Sequence, residues 1–239
     1  MSKLILIRHA QASFMKANYD KLSPLGEQQS RILGEYLADK EAIFDRIYIG
    51  PLRRHWQTAE GVKAVYQKRG LPWADPIKLD TLDEHKGMEV MAALLPDLIT
   101  EYEQLKAWAA QATAYPSTAR KYQLLMFNYV MKLWANGEVD GSAYGLGPWS
   151  HFRAQVNAGM EQILSENESG VTVAAFTSGG TMSAAVAYAL QMEAEEKVIE
   201  LNGIIQNTAM STFLFSKDRL TLKSFNELPH LEDKLVTYV

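Results

Sequence analysis

Residues 3–7, Lys-Leu-Ile-Leu-Ile, form an apolar run too short for a helix, and the run stops abruptly at Arg8-His9-Ala10-Gln11-Ala12-Ser13. A run of that length, bounded by polar and small residues, reads as a buried strand opening onto a loop. The segment C-terminal to that loop limits the fold to which the strand can belong. Ser23-Pro24 is a helix start, with serine as N-cap and proline at the first helical position, where its missing N–H is not needed. Leu25, Ile32, Leu33, Tyr36 and Leu37 then recur at helical spacing, and residues 45–49, Asp-Arg-Ile-Tyr-Ile, read as a second strand. Strand, helix, strand implies a parallel pair joined by a right-handed crossover, and parallel sheets are covered by helices on both faces. The expected fold class is therefore α/β, with a mostly parallel sheet. Ligands of such sheets bind outside the carboxyl ends of the strands, where Arg8 and His9 would stand on an exposed loop. A neutral imidazole nitrogen can attack phosphorus while a guanidinium holds phosphate oxygens.

The pattern repeats along the chain. Gly50-Pro51-Leu52-Arg53-Arg54-His55 is a second strand-to-helix junction, backed by a stripe of Trp56, Ala59, Val62 and Tyr66. Arginines in a first helical turn oppose the helix dipole unless an anion sits there; taken alone Arg53 and Arg54 read as solvated surface charges, and His55 and His151 as surface or packing residues. A short strand at 77–79 leads into the polar loop Leu82-Asp83-Glu84-His85-Lys86-Gly87. Residues 88–136 read as helical, the clearest stripe being Tyr122, Leu125, Met126, Tyr129, Val130 and Leu133, and glycine-rich residues 137–147 bring the chain back. We expect a helical cap over 88–148, inserted within a single domain of residues 1–239. A helix at 149–164 and a strand at 171–176 then lead to Thr177-Ser178-Gly179-Gly180, a third junction whose bare N–H groups at a helix start suit an anion. Residues 207–215 and 220–225 read as an antiparallel edge hairpin, followed by a tail with Asn226 and His230.

Composition narrows the chemistry. A net charge of −4 supplies no basic field for nucleic acid or anionic lipid, and the absence of cysteine removes disulfides, thiolate nucleophiles and Cys-ligated metals. The five histidines include no pair at i,i+4 spacing, so no metal is expected. Ser178 lacks the Gly-x-Ser-x-Gly context of a serine hydrolase elbow. The opening segment is too short for a signal peptide and the chain has no long apolar span, so a cytoplasmic protein without membrane association is expected.

Taken together, Arg8-His9, Ser23-Pro24-Leu25-Gly26, Pro51-Leu52-Arg53-Arg54 with Gln57-Thr58-Ala59, Leu82-Asp83-Glu84 and Thr177-Ser178-Gly179-Gly180 resemble the histidine phosphatase superfamily, which includes the cofactor-dependent phosphoglycerate mutases. Order and spacing match over nearly the whole chain. The family's Arg-His-Gly appears as Arg8-His9-Ala10, and the arginine of its Ser-x-Leu-x-Arg-Ala pattern falls on Arg54. The resemblance implies a phosphoglycerate mutase-like fold, His9 as nucleophile, Arg8 and Arg54 as phosphoryl ligands, and Glu84 as proton donor to the leaving oxygen, with Asp83 and Glu89 as alternatives. It further implies a small phosphorylated substrate, no cofactor, and phosphatase rather than mutase activity. Gln11, Ser13, Ser178 and Gly179 are expected to line the phosphate site.

One departure bears on activity. The family's second active-site histidine, in a His-Gly-Gly context, is replaced here by Ser178. Losing one preorganised donor of this kind costs about 2.7–4 kcal/mol, or roughly 10²–10³ in rate. Two readings are open: a phosphatase in which another group fills the place, with His230 in the tail as one such group, or a weak or inactive relative that binds phosphorylated ligands or a protein partner.

Overall fold

The computed structural model describes residues 1–12, 20–167, 169–216 and 219–238. The apolar run at the start is the strand β1 (Ser2–Arg8), and it lies inside a six-stranded sheet with β2 (Arg46–Ile49), β3 (Pro76–Lys78), β4 (Thr172–Thr177), β5 (Met210–Ser216) and β6 (Arg219–Glu227). The strand order is β3-β2-β4-β1-β5-β6. The first four strands in that order run parallel, and β5 and β6 are antiparallel additions on the far side of β1. The sheet is therefore mostly parallel, with the expected hairpin at its edge.

Period-two alternation distributes the core between two faces. Ile7, Ile47, Ile49, Ala174 and Phe176 pack with Leu33, Leu37, Ala59, Val62 and Tyr66 of α1 (Pro24–Asp39) and α2 (Arg53–Lys68). Leu4, Leu6, Tyr48, Val173 and Ala175 face the other way, toward α6 (Trp149–Glu166) and α7 (Gly179–Leu190). The same cluster continues without a break into Val90 and Leu94 of α3 (Gly87–Glu101), Leu105 of α4 (Glu103–Ala114) and Val130, Leu133 and Trp134 of α5 (Ala119–Ala135). Helices α3 to α5 thus share one apolar core with the sheet. The helix α8 (Glu195–Ile204) has no counterpart in the sequence reading, and it buries only Val198 and Ile199. Among the described residues no helix is long and apolar enough to cross a membrane.

The β1–β4 register decides where the chemistry lies. Arg8 is opposite Thr177 and Ile7 opposite Phe176, so the two strands end level. His9 N–H donates to Thr177 O at 2.8 Å, carrying the pairing one residue past the strand. Ser23 caps α1 by accepting from Gly26 N–H at 3.0 Å, as its sequence predicts. A Cβ at Gly26 would lie 2.1 Å from Gln11 O, so glycine lets the helix start abut the loop after His9.

His230 is part of this frame. Its Nε2 is 2.9 Å from Thr208 Oγ1, its ring lies 5.8 Å from that of Tyr36 on α1, and burial lowers its pKa to about 4. An unfolded chain with an ordinary histidine near 6.5 binds the proton more readily, so the stabilisation is full above about pH 6.5 and lost as the pH falls toward 4. His230→Gln is expected to flatten the pH dependence of urea unfolding between pH 7.5 and 5 by up to about 2 kcal/mol. An unaltered pH profile in that variant would show that the tail histidine titrates freely in the folded state.

Candidate active site

His9 sits immediately past β1 and is 4% exposed, so it is a buried residue and not the exposed loop residue expected from sequence. Its Nδ1 is 2.8 Å from Ala10 O. A carbonyl only accepts, so Nδ1 carries the hydrogen and Nε2 keeps its lone pair. Burial, then the cations of Arg54 and Arg8, and then His55 hold the His9 pKa well below the usual histidine value; the Ala10 hydrogen bond opposes them. The ring is thus neutral at pH 7, as a nucleophile requires. Its loop is tied on three sides. Ala10 N–H donates to Thr58 Oγ1 at 2.9 Å, Gln11 N–H to Gln29 Oε1 at 2.8 Å, and His9 O accepts from Asn207 Nδ2 at 3.1 Å.

The two neighbouring arginines of α2 part company. Arg53 points outward, whereas Arg54 is 6% exposed and lines the cavity in front of the strand ends together with Arg8. The anion that the α2 N-terminus calls for is the carboxylate of Asp20. It accepts from Arg53 N–H at 2.9 Å and from Arg54 Nη1 at 3.0 Å, answering the helix dipole and the guanidinium together. Arg8 Nη1 donates to Ile205 O, which holds one edge of its guanidinium.

Glu84 approaches from the loop after β3. Its carboxylate accepts from Gly180 N–H at 3.2 Å and from His85 N–H at 2.9 Å, so it lies against the first turn of α7. A Cβ at Gly180 would be 2.1 Å from Glu84 Oε1, and only glycine admits the carboxylate that close. His85 backs it. The imidazole is wedged among Trp134, Trp149 and Phe152 at 5.4–6.3 Å. Its Nδ1 accepts from Gly87 N–H at 3.0 Å, leaving Nε2 to face the Asn202 amide at 3.2 Å and Glu84 Oε1 at 3.6 Å.

Arg8, Arg54, Glu84 and His85 border a cavity of about 700 Å³, whose lining does not include His9. Arg8, Arg54, Asp83 and Glu84 form its polar end, while Met88, Met91, Leu124, Phe127, Met131 and Ile199 wall the rest. Glu89 also lines it, and Arg120, Gln123 and Asn128 of α5 add polar groups.

Not every residue singled out from sequence is on that wall. Gln11 is turned to α1, where its Oε1 accepts from Ser23 Oγ at 2.7 Å. Ser13 lies outside the described residues. Gly179 starts α7 beside Arg8, where an added Cβ would lie 3.3 Å from Arg8 Nε. Ser178 is fully buried and makes no cap hydrogen bond to α7; its Oγ is 2.7 Å from His55 Nε2. His55, which by sequence reads as a surface or packing residue, is fully buried, with its ring 5.8 Å from that of His9. His230 stands behind the loop on Thr208 and Tyr36, and Ser178 is occupied by His55 instead.

A model described as the histidine phosphatase superfamily (branch 1) matches residues 4–125 and 126–228. The chain belongs to that superfamily. Solved structures share the superfamily fold over nearly the full length. A variant of the phosphoserine phosphatase of Entamoeba histolytica in complex with phosphoserine is 19% identical, with a TM-score of 0.62, covering 97% of this chain and 100% of that one. YhfR of Bacillus stearothermophilus is 16% identical with a TM-score of 0.66 over 97% and 100% of the two chains, and a phosphoglycerate mutase of Bacillus anthracis 15% identical with 0.63 over 96% and 94%. No curated protein matches the sequence.

The split between the arginines can be measured. Arg54→Ala should weaken binding of inorganic phosphate about 10- to 150-fold, the 1.5–3 kcal/mol typical of a hydrogen bond to a charged group, whereas Arg53→Ala should leave it near wild type by calorimetry. Equal losses in both would return the assignment to an unresolved pair.

Proposed function

We propose that this superfamily member is a phosphatase that hydrolyses phosphate monoesters through a phosphohistidine on His9, with no metal in the reaction. The observation that carries this is the state of His9: neutral, with Nδ1–H held by Ala10 O so that Nε2 keeps its lone pair, and close enough to Arg54 and Arg8 for both cations to oppose its protonation. Nε2 attacks phosphorus, the bond from phosphorus to the ester oxygen breaks, and Glu84 supplies the proton to the departing alkoxide. Water then attacks the N–P bond's phosphorus, Glu84 takes its proton, and phosphate leaves with His9 restored. The charge on the equatorial oxygens is met by Arg8 and Arg54, donors fixed before the substrate arrives.

The cavity supports a substrate class. Beyond the polar end its wall is mostly methionine, leucine, isoleucine and phenylalanine, interrupted by Glu89, Arg120, Gln123 and Asn128, so the alcohol part of the ester is large and more apolar than the compact polar acids named for the neighbouring structures. Methionine-rich walls adapt to several shapes, which favours a range of such esters over one.

His9→Ala should abolish turnover of p-nitrophenyl phosphate. Across a series of alkyl phosphates kcat/KM should rise with chain length, three added methylenes contributing about 2.4 kcal/mol or roughly 50-fold when fully buried. Wild-type turnover in His9→Ala would end the nucleophile assignment, and a flat series would end the assignment of the apolar wall to substrate. A protein that binds these esters without turning them over would be the silent relative.

A further inference from the structure

One face of α5 rules the length of the cavity. Arg120, Gln123, Leu124, Phe127, Asn128 and Met131 recur three and four apart, and all six belong to the cavity wall. The two ends of that stripe differ. Met131 is 1% exposed and stands at the acid end: a Cβ at Gly87 would lie 2.8 Å from its Sδ, and Gly87 N–H donates to Nδ1 of the His85 that backs Glu84. Leu124 is 37% exposed and Arg120 is exposed, so the stripe climbs from the buried acid end to an open mouth. Arg120 and Met131 are eleven positions apart, about 16 Å along the helix axis at roughly 1.5 Å per residue.

Charge is placed unevenly along this line. Arg8 and Arg54 stand with Asp83 and Glu84 at the inner end. Phe127 and Leu124 follow on the α5 face, and Arg120 with Gln123 comes after the last of them. Glu89 is two residues past Gly87 on α3 and so belongs to the acid end; among the described residues Arg120 has no carboxylate partner. An arginine on the outer face of a helix is ordinarily just hydrated. Arg120 is instead on the face that walls the cavity, where its guanidinium offers a planar fork of donors to whatever extends beyond the apolar stretch.

Resting on the phosphatase reading of the His9 site, we propose that Arg120 is a specificity-determining residue for esters that carry a second anionic group, such as a carboxylate, at the far end of an apolar alcohol. The phosphate is held by Arg8 and Arg54, the apolar middle lies along Met131, Phe127 and Leu124, and the distal carboxylate meets the Arg120 guanidinium, with the Gln123 amide as a second donor. The helix sets the length. At roughly 1.2 Å per bond of an extended chain, and less the reach of the arginine side chain, the two charges are separated by about ten carbons. In a compact phosphorylated acid the charges are only a few bonds apart, and its carboxylate would stop short of Arg120.

The test compares n-alkyl phosphates with their ω-carboxyalkyl counterparts at three and at ten carbons, each below its micelle concentration. The ω-carboxyl should raise kcat/KM about tenfold at ten carbons and not at three, the gain expected of a charge-assisted hydrogen bond at an open mouth, and it should shrink as salt is added. Arg120→Ala should cancel the ten-carbon gain, and Arg120→Glu should invert it, so that an ω-amino ester outruns the ω-carboxy one. These are ratios within one variant, so a change in folded fraction cancels from them. No gain at ten carbons, an equal gain at three, or a gain that survives Arg120→Ala overturns the inference and leaves the phosphatase reading standing. A wild-type protein that turns over none of these esters overturns the phosphatase reading instead, and calorimetric titration of the same pairs then decides the inference: a Kd ratio of about ten that Arg120→Ala removes upholds it, and equal Kd values overturn it.

Discussion

The site depends on the level ending of two parallel strands. Hydrogen bonding between β1 and β4 sets Arg8 opposite Thr177, and the His9 N–H to Thr177 O bond extends that pairing to the nucleophile. A slip of one residue would exchange the two faces of β1 and send Leu4 and Leu6 to the side built for Ile7. The apolar cores on the two faces therefore fix the register, and the register brings His9, Ser178 and the start of α7 to one place. Arg54 and Glu84 are added by the ends of β2 and the loop after β3, which belong to the same parallel set.

Around that point the electrostatics are consistent. The cations of Arg8 and Arg54 and the burial of His9 all oppose protonation of its ring, so the features that would hold a phosphoryl dianion also keep the nucleophile available. Asp20 balances Arg54 and the α2 dipole in the structure as it stands. Glycine at 180 lets a carboxylate reach the α7 start, and glycine at 50 lets an imidazole reach Ser178. Each is a position where the missing side chain is what allows two functional groups to meet.

Much of this is legible in the sequence because the signals are local. Proline at the start of α1, the apolar run of β1 and the Ser-Gly-Gly after β4 each announce a strand-to-helix junction within a few residues. Arginines misplaced at a helix start announce a need for negative charge, although the Asp20 that meets it lies 34 positions away from Arg54. The hidden part is long-range. His55 and Ser178 are 123 residues apart, and nothing on a helix face shows which strand end it meets. His85 reads as a polar loop residue, and only the fold closes three aromatic rings around it. The tail histidine His230 is a candidate for the place at Ser178 only through the family resemblance of the tail, and in the structure it packs on Tyr36 and Thr208 behind the loop. Helix α8, with two buried residues and no capping side chain, has too weak a periodicity to read.

The central claim is that phosphorus passes through a covalent bond to one nitrogen of His9. Quenching the wild-type protein in alkali during turnover of an alkyl phosphate, then mapping the modified residue by mass spectrometry, addresses it directly. The expected result is a single acid-labile, alkali-stable phosphoryl group on His9. Turnover with the phosphoryl group on another residue, or with none trapped while 18O from solvent enters phosphate with inversion at phosphorus, would contradict it.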